Sequence, residues 1–272
     1  MATVAARQSL CRMLGTELPI VQAPMAGVQL GALAHAVSNA GGLGSLPCAM
    51  LTVEAMRAEL AAIRAVTDKP FNVNFFCHAP PIPSPQREAA WRKLLAPYFE
   101  EHGIDASSVA AGPGRAPFSA EAADALDEFA PRVVSFHFGL PSAHAIHALH
   151  DVGILLLATA TNLAEARRIA AAGVDAIIAQ GWEAGGHRGM FDPDAPDDEL
   201  STIALTRLLV RATEIPVIAA GGIMDGAGIS AVLQLGASAA QLGTAFIACA
   251  DAGNQRLPVR CDRTDRSGGC TL

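Results

Sequence analysis

The segment Gln180-Gly181-Trp182-Glu183-Ala184-Gly185-Gly186-His187-Arg188-Gly189 places an imidazole directly behind two bare glycines. Histidine is the side chain that ordinarily changes charge near neutrality, so one projecting freely from a glycine-flanked loop can take or give a proton. His187 is the catalytic candidate. Two further spots, Gly221-Gly222 and Gly243-Thr244, offer backbone N–H groups that no Cβ shields, together with one hydroxyl, as an anion such as phosphate requires. Asn74 and Gln180 are amides within otherwise apolar runs, able to donate to and accept from a ring that presents both kinds of atom. One phosphate cradle beside two amides describes a flat, monophosphorylated cofactor. The same glycines also suit tight turns, and a buried amide often serves a neighbouring backbone group. His137 and Trp182 are secondary candidates for touching substrate. His144, His147 and His150 recur every third residue, a spacing that rotates off one helix face and reads as solvated rather than metal-binding.

These residues need a frame that brings distant segments to one place. Eight short apolar runs alternate with longer amphipathic stretches: Pro19–Ala23, Gly42–Leu46, Phe71–Phe76, Val133–Phe138, Gly153–Ala158, Ala176–Gln180, Pro216–Ala220 and Ala239–Leu242. Each is strand-sized and too apolar for a wet face, which predicts an α/β fold, a TIM (β/α)8 barrel, with its site at the C-terminal strand ends. Asn162 with Glu165 forms a capping-box pattern, and Gly173 suits a helix stop; Asp225 and Gly236 repeat the logic two units later. Leu163, Ala166, Ile169 and Ala170 form the expected buried stripe of the first of these helices. Residues 77–132 read as an elaborated third connection, with the proline cluster Pro80, Pro81, Pro83 and Pro85, a helix around Trp91–His102 and a loose Gly112–Pro117 stretch. Phe191–Leu200 reads as a mobile surface loop.

Composition bounds the rest. The 272 residues are 51% hydrophobic and 17% charged, enough for one large core, and the net charge of −7 repels nucleic acid and anionic membranes. The longest clean apolar run, Val152 to Ala160, is about half a bilayer span. With no secretion signal and six scattered cysteines lacking any C-x-x-C pair, the expectations are a cytoplasmic location, reduced thiols and no metal site.

The strings Gln22-Ala23-Pro24-Met25-Ala26-Gly27, Asn39-Ala40-Gly41-Gly42-Leu43-Gly44, Phe71-Asn72-Val73-Asn74 and Gln180 through Gly189 resemble the nitronate monooxygenase (2-nitropropane dioxygenase) family over about residues 17–250. That resemblance implies a barrel holding FMN non-covalently and oxidising alkyl nitronates or nitroalkanes with O2 to a carbonyl compound and nitrite. It implies that Ala23, Pro24, Met25, Asn74 and Gln180 lie at the flavin. Gly185 and Gly186 would border it, Gly221, Gly222, Gly243 and Thr244 would take its phosphate, and His187 would be the catalytic histidine. Met25 and Trp182 could wall the substrate, and association as a homodimer is open. A related branch with the same Gly-Gly-His segment reduces enoyl thioesters or quinones with NAD(P)H, which is the alternative. Residues 251–272 depart from the family pattern: they are short, irregular and without apolar period. They read as a truncated end that leaves the eighth helix missing or improvised and an apolar strip exposed near the first and seventh helices. On that reading, a flavin-binding remnant without turnover is a second alternative.

Overall fold

The computed structural model describes residues 10–80, 82–109 and 114–252. Its eight strands are β1 (Ile20–Gln22), β2 (Gly44–Pro47), β3 (Phe71–Phe76), β4 (Val133–His137), β5 (Leu155–Ala160), β6 (Ala176–Gln180), β7 (Val217–Ala220) and β8 (Ala239–Leu242). All pair in parallel, each with its sequence neighbours, and β1 pairs with β8. The ring closes between β1 and β2 through a single bridge, Val21 to Leu43. There the buried Gln22 takes over from the backbone ladder: its Oε1 accepts from Ser45 N at 2.8 Å, and its carbonyl accepts from Ser45 Oγ at 2.6 Å. The barrel expected from the alternation of runs is the barrel found.

Strand alternation sorts the side chains into two cores. Val21, Leu43, Val133, Leu157, Ile178, Ile218 and Ala239 point inward, and Leu10 and Leu14 from a helical stretch at residues 10–14 pack into the same cluster. Phe71, Val73, Phe75, Phe136 and Ile177 point outward under the helices. Burying each such large side chain contributes about 1.5–3 kcal/mol before entropy is counted.

The helices are α1 (Gly31–Asn39), α2 (Val53–Val66), α3 (Pro85–Glu101), α4 (Ala120–Phe129), α5 (Ala143–Asp151), α6 (Leu163–Ala171), α7 (Thr202–Ala212), α8 (Gly226–Gln234) and the single-turn α9 (Thr244–Ile247). The expected caps form: Asn162 accepts from Glu165 N, and Asp225 from Gly228 N. Glu165 itself is buried, which the stripe pattern did not foresee. One carboxylate oxygen takes Thr161 N and Thr161 Oγ1, while the other takes Phe191 N at 2.8 Å, so the capping glutamate also holds the next loop.

The fifth run is displaced: Gly153 has φ +80° and ends the turn after α5, so β5 starts at Leu155 rather than at Gly153. The elaborated connection contains α3, capped by Ser84 with Pro85 in its first turn, and returns to the barrel where Phe118 N donates to Phe76 O. No residue of α3 is buried, and Trp91, Leu94 and Tyr98 are exposed along it. After β8 the chain forms α9 and a 3₁₀ turn, Ala250–Ala252, whose Ala252 is buried in the same cluster as Leu33 and Val37 of α1. An eighth helix is thus present as one turn, and part of α1 is covered; most of the expected tail, from residue 253 on, lies outside the described residues.

Candidate active site

The C-terminal strand ends form one rim. Below it lies a polar belt inside the barrel: Asn72 Nδ2 donates to Ser45 Oγ at 3.0 Å and Ser135 Oγ at 2.9 Å, and Asn74 Nδ2 also reaches Ser135 Oγ at 2.9 Å. These bonds use the amide nitrogens. Asn72 Oδ1 is buried with no partner, as is Gln241 Oε1 on β8. An orphaned buried acceptor costs about 1–3 kcal/mol, so two of them on strands of one small barrel fit a site that a donor-bearing molecule completes.

Above the belt, the loop after β6 folds over the rim and is tied down in a defined way. Gln180 uses both ends of its amide on it: Nε2 donates to His187 O at 2.8 Å and Oε1 accepts from Gly189 N at 2.7 Å. A second donor reaches the same carbonyl, His137 Nε2 at 3.0 Å, while His137 Nδ1 lies 3.0 Å from Thr159 Oγ1. Gly189 must be a glycine, since a Cβ there would stand 2.5 Å from His137 Cε1. Burial holds the His137 imidazole down at about 4; the carbonyl of His187 opposes this, and the nearby His187 ring adds to it.

His187 is exposed, with its ring edge-on to Phe76 at 6.2 Å and to Phe138 at 6.0 Å between centroids. Phe138 sits at φ +64°, a left-handed conformation costing on the order of 1–3 kcal/mol for a bulky residue. It turns the end of β4 so that its ring lies 4.4 Å from that of His137 and 6.3 Å from that of His78. His78 Nδ1 is buried and unpartnered. Phe76, His78 and Phe138 were not singled out from the sequence; the signal available was that two apolar runs both ended in aromatics at the same rim.

Some of the predicted cofactor residues are neighbours. A Cβ on Gly243 would lie 3.5 Å from Ala23 Cβ and Met25 Sδ, and one on Gly185 would meet Thr244 Oγ1 at 3.8 Å. Gly221 and Gly222 have positive φ, and a Cβ on them would press on Thr202 Oγ1 at 2.7 Å and Glu183 Cβ at 3.1 Å, so turn geometry already requires glycine at both. Gly185 and Gly186 are different. Neither has a positive φ; a Cβ on Gly185 would meet only Thr244 Oγ1 within 4 Å, and one on Gly186 would meet nothing.

Three carboxylates brace the surrounding loops, and two of them tie the expected surface loop Phe191–Leu200 to its neighbours. Besides Glu165, Asp197 pairs with Arg188, whose guanidinium also lies over the exposed Trp182 ring at 5.7 Å and donates through Nη1 to Gln180 O. Glu183 Oε2 accepts from Thr202 N at 2.7 Å, and the Thr202 hydroxyl, with one hydrogen to give, lies 3.0 Å from that oxygen and 2.9 Å from Gly221 O. Burial pushes the Glu183 carboxyl up, but the backbone N–H groups, the Thr202 hydroxyl and Arg188 leave it below the ordinary carboxylate range. The Arg188 bonds hold Asp197 low as well, against its partial burial. Of the three spaced histidines, His144 and His147 are exposed and His150 pairs with Asp175 at 3.0 Å. Among the described residues no group of three or more metal-type ligands occurs, and no helix is long and apolar enough to cross a membrane.

Glycine-lined turns, buried amides and a loop-borne imidazole at the C-terminal strand ends give this (β/α)8 barrel the layout of a barrel enzyme. The family described as "Nitronate monooxygenase" matches residues 7–260, and the chain belongs to that family. It is 55% identical over 253 residues to a nitronate monooxygenase of Paraburkholderia phytofirmans, covering 90% of this chain and 67% of that protein. The solved nitroalkane oxidase of Streptomyces ansochromogenes superposes with a TM-score of 0.79 at 42% identity, covering 88% of this chain and 68% of that one. FabK of Thermotoga maritima follows at 0.66 and 31%, covering 89% and 63%.

Proposed function

We propose that this chain oxidises small alkyl nitronates, and nitroalkanes that it first deprotonates, using O2 and an FMN held at the barrel rim. The observation that carries the reading is the bareness of Gly185 and Gly186. Neither backbone conformation nor internal packing demands glycine there: a Cβ on Gly185 would come only to 3.8 Å from Thr244 Oγ1, just past the end of β8, and one on Gly186 would enter open space, as a group lying on the pair would require. Gly221, Gly222, Gly243 and Thr244 would hold the phosphate, with Ala23, Pro24 and Met25 alongside. Asn74, through Oδ1, and Gln180, through its remaining N–H, would face the ring. FMN supplies the electron and oxygen chemistry when bound.

The chain's own residues handle the proton and the anion. His187, exposed on its braced loop, takes the proton from the carbon beside the nitro group and, once protonated, stabilises the nitronate. Phe76, Phe138 and Met25 supply apolar surface that favours a short alkyl chain and limits water at the reacting carbon. Trp182 is exposed beneath Arg188 and would act at the outer edge. The net charge of −7 favours a small-molecule substrate over nucleic acid. A cytoplasmic location and a homodimer remain part of the proposal.

The test is direct: the purified protein should show flavin absorbance, release FMN on denaturation and produce nitrite from a nitronate in air. A colourless protein overturns the reading. A yellow protein that is inert to nitronate yet bleached by NADH favours the enoyl-thioester or quinone reductase alternative, which the likeness to FabK keeps in view; one inert to both favours a flavin-binding remnant.

A further inference from the structure

We propose that His137 is the positioning residue of the active-site loop: from β4 it grips the backbone carbonyl of His187 and so sets where that imidazole stands over the barrel mouth. The inference rests on the reading of His187 as the base. Two ties converge on His187 O, and they differ in kind. Gln180 lies seven residues before His187, on the strand from which the loop springs, so its bond of 2.8 Å shapes the loop but does not place it across the mouth. His137 lies fifty residues away, on a strand separated from β6 by β5, and its bond of 3.0 Å fixes the loop against another part of the ring.

The chemistry of this contact is specific. A carbonyl only accepts, so Nε2 must carry the hydrogen. In the neutral ring Nδ1 then becomes an acceptor, and the Thr159 hydroxyl, 3.0 Å away on the intervening β5, donates to it. Burial keeps the ring neutral through the physiological range. Both nitrogens are thus committed within the chain, and His137 acts on the reaction through its neighbour rather than by touching substrate. The adjoining Phe138, forced to φ +64°, presents its ring to His187, so the end of β4 supplies both the grip on the loop and one wall against the imidazole. Gly189 completes the fit by leaving room for the His137 ring.

The test compares His137→Phe, His137→Gln and His137→Asn in the flavin-loaded protein, with rates expressed per bound flavin. Glutamine can place an amide N–H where Nε2 stood; asparagine reaches only to the Nδ1 position, and phenylalanine has no donor. Losing one such bond should move geometry and rate by roughly tenfold. For His137→Phe and His137→Asn we expect the neutral-nitroalkane rate to fall about tenfold relative to the preformed-nitronate rate, in kcat more than in KM. Amide exchange across residues 181–190, measured without substrate, should quicken by a similar factor, and His137→Gln should restore both readouts to within about threefold.

An unchanged rate ratio and unchanged exchange in His137→Phe overturn the proposal, as does rescue by asparagine equal to that by glutamine. Should the phenylalanine variant not fold, the glutamine–asparagine comparison decides alone. Failure of the underlying reading looks different: His187→Asn would then lose neutral and preformed substrates equally, while the exchange results still report whether His137 holds the loop.

Discussion

Arg188 and Asp197 meet two-on-two, Nε on Oδ2 at 2.7 Å and Nη2 on Oδ1 at 2.8 Å, with both side chains mostly buried. This planar pairing fastens the loop after β6 to the aspartate-rich segment that follows it. Because Arg188 directly follows His187, the pairing limits how far the imidazole can drift.

Asp197→Asn should therefore loosen the segment without unfolding the barrel. Stability should drop by roughly 1–3 kcal/mol in urea titration, and cleavage within residues 191–200 by a dilute protease should accelerate. The pair also has an acid limit. The folded Asp197 carboxyl is held below its ordinary value, so its contribution is full above the unfolded carboxylate range and is lost as pH falls through the folded one. Equal protease resistance in variant and parent would remove the bracing role.

Replacing the base tests the chemistry. His187→Asn keeps a polar side chain of similar reach but cannot take a proton. Turnover of neutral nitroalkane should fall at least about a hundredfold, and turnover of preformed nitronate far less.

The bare pair in the loop can be filled stepwise. Gly185→Ala adds a Cβ that meets only Thr244 Oγ1, at 3.8 Å, and should leave folding and flavin content close to those of the parent. Gly185→Leu fills the space before Thr244 and should weaken flavin binding by roughly tenfold or more, with the melting temperature of the flavin-free protein little changed. A leucine variant that retains its full flavin complement would exclude this stretch from the cofactor site.

Stability against pH should carry the signature of a histidine kept neutral by burial. The folded imidazole of His137 sits at about 4, against about 6.5 in an unfolded chain, so the unfolded state takes up a proton between those values and the folded state does not. The stabilisation is complete above about pH 6.5 and fades as pH falls toward 4, by on the order of 3 kcal/mol at most, less whatever water at the open mouth screens. His137→Gln should flatten the curve in that window; parallel curves would show that another group is responsible.

Thiol chemistry gives a fifth check. Burial pushes the Cys77 thiol up to about 12 and that of Cys48 higher still, so neither forms thiolate at neutral pH. Iodoacetamide at pH 7.5 should leave both unmodified in the folded protein and label them in urea.

The barrel was legible because both-face burial writes continuous apolar runs, and eight of them at β-α spacing admit few other arrangements. Run edges were less legible: Gly153 looks like the start of a strand until its positive φ assigns it to the preceding turn. The site divided in a similar way. His187 and the glycines around it stand out as polar or bare residues just after an apolar run, at the C-terminal end of β6, while Asn74 stands out as an amide within one and lies in the belt below the rim. What Gln180 and His137 do was not legible, since each commits a side-chain nitrogen to the carbonyl of His187, and only the fold decides which carbonyl comes within 3 Å. Glu165 is the sharpest case: its cap on α6 follows from local sequence, but its bond to Phe191 N spans 26 residues and depends on the path of the loop.

Leu10 and Leu14 have a further consequence. Packed among the inward-facing residues, they stopper the N-terminal end of the cylinder with side chains that expose 0% and 2% of their surface. Among the described residues that end of the barrel is thus filled, which leaves the opposite mouth, where His187 stands, as the end at which the proposed chemistry can be reached.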